Sequence, residues 1–319
     1  MKICVIGGGS IGKRHLNNIK ILDPNIGLFC LKRAYDKQFE IDYFCKVIIK
    51  SEEIISNNVD SIMICNPTSL HVEWIKFAHV NNLNVFIEKP LVSSLEQFAE
   101  IKELKFKKSV SFIGFMLRYH KSIIKIKNIL NLNYLGQIYS AEFAFGSFLP
   151  DWPYEDYKNS YVSLKKLGGG VVNTISHEID LIYHLFDLPQ EIISINKNFN
   201  LLDIECEEIH KSIVVYNDKL ITLTLDLISK DYRREIKIFG SEGTLLWNWQ
   251  ENVIQIKYHN VNNSNKTYSH EKTFDVNNLY LDEVSDFIYK IKNSEIEHGL
   301  DFEYAKINSN LLSKFKNEI

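Results

Sequence analysis

The chain contains 319 residues, of which 45% are hydrophobic and 24% charged, with 37 Lys and Arg against 40 Asp and Glu. This length suits two domains or one large one, with a sizeable core. The average composition excludes collagen-like, coiled-coil and wholly disordered proteins. A formal net charge of -3 argues against a nucleic-acid-binding protein, because such proteins usually carry a basic excess.

Five cysteines, an odd number, occur without any C-x-x-C spacing: Cys4, Cys30, Cys45, Cys65 and Cys206. Three of them lie in apolar runs, where a free thiol behaves as a small hydrophobe. We therefore expect reduced thiols, no metal site and a cytoplasmic protein. The N-terminus lacks a signal-peptide pattern, and no run approaches the roughly 18 apolar residues of a membrane span. Neither secretion nor membrane insertion is expected.

Short apolar runs alternate with helix-length segments through the first 115 residues. The pattern predicts strands at 3–6, 28–31, 61–65, 85–87 and 110–115. Each run is continuous in hydrophobicity, which is typical of strands buried on both faces of a parallel sheet. The segment 70–82 has apolar residues at helical spacing and fills one of the gaps. Repetition of strand and helix predicts a doubly wound α/β domain of the Rossmann type.

A period of two replaces this pattern in the second half of the chain. Ile221, Leu223 and Leu225 alternate with polar residues, as in a strand with one covered face. Similar strands are predicted at 138–148, 212–216, 235–239, 244–249 and 253–258. Helices are predicted at 173–186, 280–291 and 301–315, and the polar stretch 260–272 is predicted to be a loop or hairpin tip.

These patterns predict an α/β protein of two domains. Residues 1–119 form an N-terminal Rossmann domain with a doubly wound parallel sheet. Residues 120–319 form a C-terminal α+β domain with a large, mostly antiparallel, open sheet. The last helix either stays with that sheet or packs back on the first domain.

A glycine-rich motif follows the first predicted strand directly and opens a helix. Gly7, Gly9 and Gly12 form G-x-G-x-x-G, with Ser10 and Ile11 between the last two. The first glycine makes the tight turn, the second lets the backbone approach a pyrophosphate, and the third lets the helix pack on the strand. The pyrophosphate meets free N–H groups at the positive end of the helix dipole. The motif stands in a strand–helix context, so it predicts dinucleotide binding.

The end of the second strand bears on the choice between NAD and NADP. An NAD site usually has Asp or Glu there to hold the ribose 2′-hydroxyl. This strand ends in Lys32 and Arg33, and Asp36 comes later in the turn. Two cations favour a 2′-phosphate, and hence NADP, although they are also compatible with a solvated pair of charges.

Three further motifs complete a pattern that spans the chain from residue 3 to about residue 190. They are Cys-Asn-Pro-Thr-Ser-Leu-His at 65–71, Glu-Lys-Pro at 88–90, and three glycines at 168–170 followed by His177 and Asp180. Together with the glycine motif, which extends to His15, they make the chain resemble the glucose–fructose oxidoreductase / inositol dehydrogenase (Gfo/Idh/MocA) family.

The resemblance implies hydride transfer between nicotinamide C4 and a carbinol carbon, usually of a sugar or cyclitol. His177 matches the catalytic histidine, which takes up and returns the hydroxyl proton, and its ordinary pKa near 6.5 suits this task. Lys89 matches the lysine that hydrogen-bonds the reacting hydroxyl and the nicotinamide ribose. Glu88 is expected to orient the cofactor, and a cis bond before Pro90 is expected to position Lys89.

The same resemblance places further residues around cofactor and substrate. The expected cofactor-binding residues are Gly7, Gly9, Ser10, Ile11, Gly12, Lys32, Arg33, Asn66, Pro67, Thr68, His71, Glu88, Lys89 and Arg118. The expected substrate-binding residues are Lys89, Trp152, Tyr161, Asn173, His177 and Asp180. Asp180 either binds a substrate hydroxyl or steadies the histidine that precedes it by three residues on one helix face. Arg118 either contacts nicotinamide or an acidic substrate group, or forms an interdomain salt bridge.

One position departs from the family pattern. Many members carry Asp four residues before the histidine, where this chain has Asn173. A neutral amide cannot take the part of a carboxylate in a proton relay. Three alternatives follow: His177 and Lys89 suffice, the reaction is slower, or the protein binds without full turnover.

The sequence therefore predicts an NAD(P)-dependent dehydrogenase or reductase acting on CH–OH groups of a sugar, aminosugar or sugar nucleotide, with NADP slightly favoured. The tract 149–180 resembles a branch associated with surface-polysaccharide and sialic-acid-like sugar pathways. The alternatives are transient oxidation on a tightly bound cofactor, leading to epimerisation or elimination, and a non-catalytic dinucleotide-sensing regulator. The family commonly covers its open sheet with a second copy, so a homodimer or homotetramer is expected, without nucleic-acid or membrane partners.

Overall fold

A computed structural model describes residues 1–260, 263–270 and 274–317, and it divides into two compact units. The first unit combines Met1–Met116 with Asp275–Asn310. The second combines Leu117–Phe274 with the described part of Leu311–Ile319. The first break lies close to the boundary predicted at residue 119, whereas Asp275–Asn310 joins the first unit instead of continuing the second.

The core of the first unit is a six-stranded sheet. Its strands are β1 (Lys2–Ile6), β2 (Gly27–Leu31), β3 (Lys46–Ile48), β4 (Ser61–Ile64), β5 (Asn84–Glu88) and β6 (Ser111–Gly114). The order is β3-β2-β1-β4-β5-β6, and β1 pairs in parallel with both β2 and β4. The strand order reverses beside β1, and open α/β sheets bind ligands at the carboxyl ends of the strands at such a switch point.

Helices surround this sheet. They are α1 (Ser10–Leu22), α2 (Lys37–Tyr43), α3 (Glu52–Ser56), α4 (His71–Val80) and α5 (Leu95–Ala99). Ile3, Cys4 and Val5 of β1 are fully buried, as expected for a strand with both faces covered. The carboxylate of Asp36 accepts a hydrogen bond from the Phe39 N–H at 3.0 Å and so caps the first turn of α2.

The second unit is built on an eight-stranded sheet. Its strands are β7 (Ile138–Phe148), β8 (Glu191–Lys197), β9 (Ile209–Val215), β10 (Leu220–Asp226), β11 (Ile228–Gly240), β12 (Gly243–Asn248), β13 (Val253–Tyr258) and β14 (Lys266–Ser269). The order is β14-β13-β12-β11-β7-β10-β9-β8, and among the described strands of this sheet only β7 and β10 pair in parallel. Ile221, Leu223 and Leu225 are buried while Thr222 is exposed, so one face carries the core. The predicted fold class is confirmed.

Three helices accompany this sheet: α6 (Lys121–Asn131), α7 (Val171–Thr174) and α8 (Ser176–Phe186). The single helix predicted at 173–186 is wrong, because the backbone leaves helical geometry at Ile175, with φ -104° and ψ 35°. The break gives His177 a place in the first turn of α8. The segment before α7 consists of short 3₁₀ turns, beginning at Leu149–Asp151.

Two longer helices follow, α9 (Asn277–Asn293) and α10 (Phe302–Phe315). Helix α9 packs on α1 in the first unit, where Asn18 and Asn277 exchange side-chain hydrogen bonds of 2.8 and 3.3 Å. Of the stretch 260–272, predicted as a loop or hairpin tip, Lys266–Ser269 forms edge strand β14 against β13. Residues 261–262 and 271–272 of that stretch lie outside the described residues.

All five cysteines are buried with free thiols. Burial raises the pKa of Cys30 and of Cys206 to about 12, which leaves little thiolate for reaction. Within the described ranges, no group of His, Cys, Asp and Glu side chains is arranged to hold a metal ion. None of the helices that the structure describes is long and apolar enough to cross a membrane.

Candidate active site

A cleft with a volume of about 940 Å³ opens at the carboxyl ends of β1, β2 and β4 in the first unit. Six of the predicted cofactor-binding residues line it: Gly7, Gly9, Lys32, Arg33, Asn66 and Pro67. The cleft stands at the switch point of the strand order, where sheets of this kind hold nucleotides. Its volume is within the range of about 300–1,000 Å³ found for small-molecule pockets.

Each of the three motif positions requires glycine for a different structural reason. Gly7 has a φ of +106°, and a Cβ at Gly12 would lie 2.0 Å from the Gly7 carbonyl oxygen, so the chain itself requires both. A Cβ at Gly9 would meet nothing within 4 Å, so that position keeps space open for a ligand. Helix α1 starts beside this space with Ser10 and Ile11, without a side-chain cap or an acid in its first turn. Its N-terminal N–H groups suit a pyrophosphate.

The turn after β4 lines the cleft and contains an unsatisfied acceptor. Asn66 Oδ1 is buried and has no hydrogen-bond partner within the described part of the chain. A buried acceptor of this kind needs a donor, such as a ribose hydroxyl. The residues present therefore fit a dinucleotide.

His71 and Thr68 support this turn from behind. His71 is 1% exposed, and its Nε2 and Nδ1 lie 3.0 and 3.3 Å from the carbonyl oxygens of Asn66 and Leu91. It thereby ties the turn after β4 to the segment after β5. Thr68 is 2% exposed and starts the 3₁₀ turn that leads into α4. Cofactor contacts of both residues stay predictions, and the geometry makes His71 a support of Asn66.

The cations at the end of β2 have unequal surroundings. Lys32 Nζ lies 2.6 Å from Asp36 Oδ2 and 3.9 Å from the centre of the Phe39 ring. The hydrogen bond from Lys32 lowers the pKa of Asp36, so this carboxyl group is ionised near neutral pH. Arg33 is exposed and forms no ion pair with any residue that the structure describes. Arg33 is thus a cation that lines the cleft without an ion-pair partner among the described residues, as is Lys37.

Strand β5 ends in Glu88, and the Lys89–Pro90 peptide bond after it is cis, as predicted. Lys89 is partly buried at the carboxyl end of the sheet. Glu88 Oε1 lies 2.6 Å from Nε2 of His15, which is 0% exposed within α1. Helix α1 and the Glu-Lys-Pro segment are thereby joined through one side-chain contact.

Two buried ion pairs fix the first turn of α8, which carries His177. Arg118 donates from Nε and Nη2 to the two carboxylate oxygens of Asp180, both at 2.9 Å. Arg234 Nε lies 2.7 Å from Glu178 Oε1. Asp180 is 1% exposed and His177 is 6% exposed. Asp180 thus pairs with Arg118 within the second unit, and its role towards His177 or substrate stays a prediction.

The surroundings of Asn173 explain why an amide, and not a carboxylate, fits at this position. Its Nδ2 donates to the carbonyl oxygens of Gly168 at 3.1 Å and Gly169 at 3.3 Å, which a carboxylate cannot do. Its Oδ1 is buried without a hydrogen-bond partner in the described part of the chain. The departure from the family pattern therefore stabilises the glycine turn and leaves one acceptor for a donor from outside.

Trp152, a predicted substrate-binding residue, stacks with Tyr154, for which the sequence predicted no role. Trp152 donates from Nε1 to Ser147 Oγ at 2.8 Å, and its ring lies 6.3 Å from that of Tyr154 at an angle of 29°. Tyr154 is 39% exposed. Tyr161 is partly buried, and its carbonyl lies against Gly169. Exposed aromatic faces of this kind suit the apolar face of a sugar ring.

Several residues of this region, Tyr154 among them, have no role predicted from the sequence. Tyr35 and Trp74 line the cleft, yet their positions in a loop and at a helix core gave no signal for it. His15 ends the glycine motif, but the sequence predicted no contact for it. Arg234 precedes the strand predicted at 235–239, and its guanidinium lies 4.8 and 5.1 Å from the centres of the Phe145 and Trp249 rings.

Comparisons with known proteins agree with this geometry. Residues 1–115 match the family model described as "Oxidoreductase family, NAD-binding Rossmann fold", and residues 123–246 match "GFO/IDH/MocA C-terminal domain". Myo-inositol 2-dehydrogenase of Thermotoga maritima is 24% identical over 92% of this chain and 89% of its own. The 2,7-anhydro-N-acetylneuraminate hydratase of Escherichia coli is 24% identical over 46% of this chain and 38% of its own. A solved levoglucosan dehydrogenase in complex with NADH and levoglucosan is 14% identical and has a TM-score of 0.86, with 100% of this chain and 96% of that chain covered.

Proposed function

Because the chain belongs to the Gfo/Idh/MocA family of NAD-binding oxidoreductases, we propose that it moves hydride between a nicotinamide cofactor and a CH–OH carbon of a sugar-like substrate. The observation that carries this proposal is the cleft at the switch point, with open space at Gly9 and an unsatisfied acceptor at Asn66. The relative from Thermotoga maritima, aligned over 89% of its own length, supports a cyclitol or sugar as substrate.

Lys89 and His177 carry the chemistry in this proposal. His177 accepts the hydroxyl proton of the substrate at a ring nitrogen as hydride leaves the same carbon, and it returns the proton in the reverse direction. Lys89 donates a hydrogen bond to that oxygen and balances its developing negative charge. The nicotinamide, when bound, supplies the hydride acceptor.

Asn173 and Asp180 have different parts in substrate binding. The unsatisfied Oδ1 of Asn173 accepts a hydrogen bond from a substrate hydroxyl. Asp180 acts through Arg118, because both of its oxygens already accept hydrogen bonds from the guanidinium. Asp180 is therefore a positioning residue for the turn that holds His177.

The test of catalysis uses Lys89→Met and His177→Asn. We expect each to lower kcat by about 10²–10⁴-fold, the usual contribution of a proton-transfer group, while cofactor binding is retained. Lys76→Met is the matched control, because Lys76 is an exposed lysine of the same unit, and it should leave kcat unchanged. Wild-type protein that binds cofactor but turns over no polyol would favour the dinucleotide-sensing alternative instead.

We further propose that the cofactor is NADP, with Arg33 as the residue that pairs its 2′-phosphate. Lys32 contributes less, since Asp36 already neutralises it. We expect Arg33→Ala to weaken the binding of NADP⁺ by about tenfold or more and to leave the binding of NAD⁺ nearly unchanged. Asp36→Asn should raise the preference for NADP⁺ by releasing Lys32. An equal loss of both cofactors in Arg33→Ala would refute this assignment.

The narrower substrate class that we propose is an aminosugar or sugar nucleotide of surface-glycan or sialic-acid-like metabolism. The stacked Trp152 and Tyr154 rings support a sugar ring with an extended apolar face. The partial similarity to the hydratase from Escherichia coli is compatible with it. A panel of inositols, anhydrosugars and nucleotide-linked aminosugars, followed by the absorbance of reduced nicotinamide, discriminates among them. A preference for inositols would refute the narrower class and leave the dehydrogenase proposal in place.

We also propose a homo-oligomer formed through the outward face of the eight-stranded sheet. Ile193 and Ile213 face each other across β8 and β9, and they are 53% and 43% exposed. Leu220 and Leu246 extend this apolar face over β10 and β12. Ile213→Asp should convert a dimer or tetramer to monomers in light scattering, because it places a charge in the covered face. A wild-type monomer at micromolar concentration would contradict the proposal.

A further inference from the structure

The glycine motif ends in a histidine to which the catalytic proposal gives no task. His15 is fully buried in α1, one turn beyond Gly12. Its ring packs edge-on against Phe86 and Tyr280, at centroid distances of 5.2 and 6.2 Å. A polar ring in such a place needs a partner, and its Nε2 finds one in Glu88 Oε1 at 2.6 Å. An ionised carboxylate only accepts, so Nε2 carries the donated proton.

The two oxygens of Glu88 have different surroundings. Oε1 accepts from His15, whereas Oε2 has no hydrogen-bond partner among residues 1–260, 263–270 and 274–317. The Glu88 side chain is 12% exposed, so it reaches solvent at the carboxyl end of β5, directly before Lys89 and the cis peptide bond. One oxygen is thus held by His15, and the other accepts no hydrogen bond from the described residues.

We infer that His15 is a positioning residue that fixes the Glu88 carboxylate so that Oε2 accepts a hydrogen bond from the amide NH₂ of the nicotinamide carboxamide. This inference rests on the proposed function, since it needs a nicotinamide cofactor in the cleft. A charged acceptor held by a buried donor loses less conformational entropy on binding than a free side chain. The contact would set the face of the nicotinamide ring that is presented to the substrate.

Two substitutions separate the donated proton from the packing of the ring. His15→Phe keeps an aromatic ring beside Phe86 and Tyr280 but removes the donor. His15→Gln places an amide N–H near the position of Nε2 and should restore it. Dissociation constants are measured by nucleotide fluorescence for NADPH and by calorimetry for three other probes: NADP⁺, its 3-acetylpyridine analogue, which lacks the amide NH₂, and 2′-phospho-ADP-ribose, which lacks the whole ring.

We expect His15→Phe to weaken the binding of NADPH and NADP⁺ by roughly ten- to a hundredfold, the range for one hydrogen bond to a charged group. It should bind 2′-phospho-ADP-ribose and the acetylpyridine analogue within about twofold of wild type. His15→Gln should bind all four probes within about threefold of wild type. If His15→Phe does not fold, Glu88→Gln replaces it, and the same pattern of weakened dinucleotide and unchanged fragment is required.

Three other outcomes would overturn the inference, and each of them points to a different cause. Unchanged NADPH binding in His15→Phe would mean that Glu88 needs no support or has no contact with the ring. An equal loss of NADPH and 2′-phospho-ADP-ribose would mean that His15 supports the fold of the whole cleft. Wild-type protein that binds none of the probes would refute the proposed function itself, and the inference with it.

Discussion

The bidentate contact between Arg118 and Asp180 makes a quantitative prediction about the second unit. Asp180 is 1% exposed, and its two oxygens each accept a hydrogen bond of 2.9 Å. Replacement by Leu removes both bonds and leaves the guanidinium buried without its counter-charge. Removal of one partner of a buried pair costs about 3–5 kcal/mol, whereas replacement of both partners by apolar residues of similar size is often nearly neutral. Asp180→Leu should therefore destabilise the unit more than the double variant with Arg118→Met.

Denaturant unfolding followed by tryptophan fluorescence measures this difference, because three of the four tryptophans, Trp152, Trp247 and Trp249, belong to the second unit. We expect a coupling energy of about 3 kcal/mol in the double-mutant cycle. Asp203→Asn is the control, since the Lys158–Asp203 pair lies in the same unit and is exposed on both sides, and such pairs contribute about 0–1 kcal/mol. Additive single-variant effects, or an Asp180→Leu protein as stable as wild type but with a raised KM, would refute the reasoning and return Asp180 to the substrate.

Further variants test other parts of the molecule. Gly9→Ala should abolish cofactor binding and leave the free energy of unfolding unchanged. Gly12→Ala should lower both the cofactor affinity and the free energy of unfolding, because the new Cβ would lie 2.0 Å from the Gly7 carbonyl oxygen. Calorimetry measures cofactor binding, and circular dichroism measures unfolding. Asn173→Asp should lower the unfolding free energy by about 1–3 kcal/mol and should not raise kcat, because a carboxylate cannot donate to the glycine carbonyls. A stable and faster Asn173→Asp protein would contradict this. Burial lowers the pKa of His120 from 6.5 to about 4, so the unfolded state binds more protons than the folded state between these pH values. The free energy of unfolding should therefore fall as the pH is lowered from about 6.5 to about 4, by at most about 3 kcal/mol. His120→Asn keeps a cap for α6 and should flatten that slope in denaturant titrations at several pH values.

The sequence predicted the architecture because its strongest signals are local. Continuous apolar runs marked β1, β2, β4, β5 and β6, and the glycine motif marked the ligand end of the sheet. Strands β3, β8 and β14 were missed, since a three-residue strand or an edge strand carries little periodic signal. The break at Ile175 was missed for a related reason: apolar residues continue through it, so hydrophobic spacing predicts one helix.

Within the site, residue identity was easier to predict than pairing. Gly7, Lys89 and His177 follow from motifs that specify residue types at fixed spacing. The partners of Arg118 and Arg234 are 62 and 56 residues away along the chain, and both contacts depend on how strands and helices pack. A charge on a strand or at a helix start reads as solvated until its surroundings are known. Asp36 comes late in the turn after the second strand, yet its carboxylate lies 2.6 Å from Lys32 Nζ.

The five buried thiols are distributed so that their labelling rates would report opening of each unit. Cys4, Cys30, Cys45 and Cys65 belong to the first unit and Cys206 to the second. Because burial raises the pKa of each thiol, labelling by an alkylating reagent requires that the surrounding structure opens first. Peptide mapping of labelled protein would thus report which unit opens more often. The difference between the Cys65 and Cys206 rates, with and without added dinucleotide, would read out ligand occupancy without a substrate.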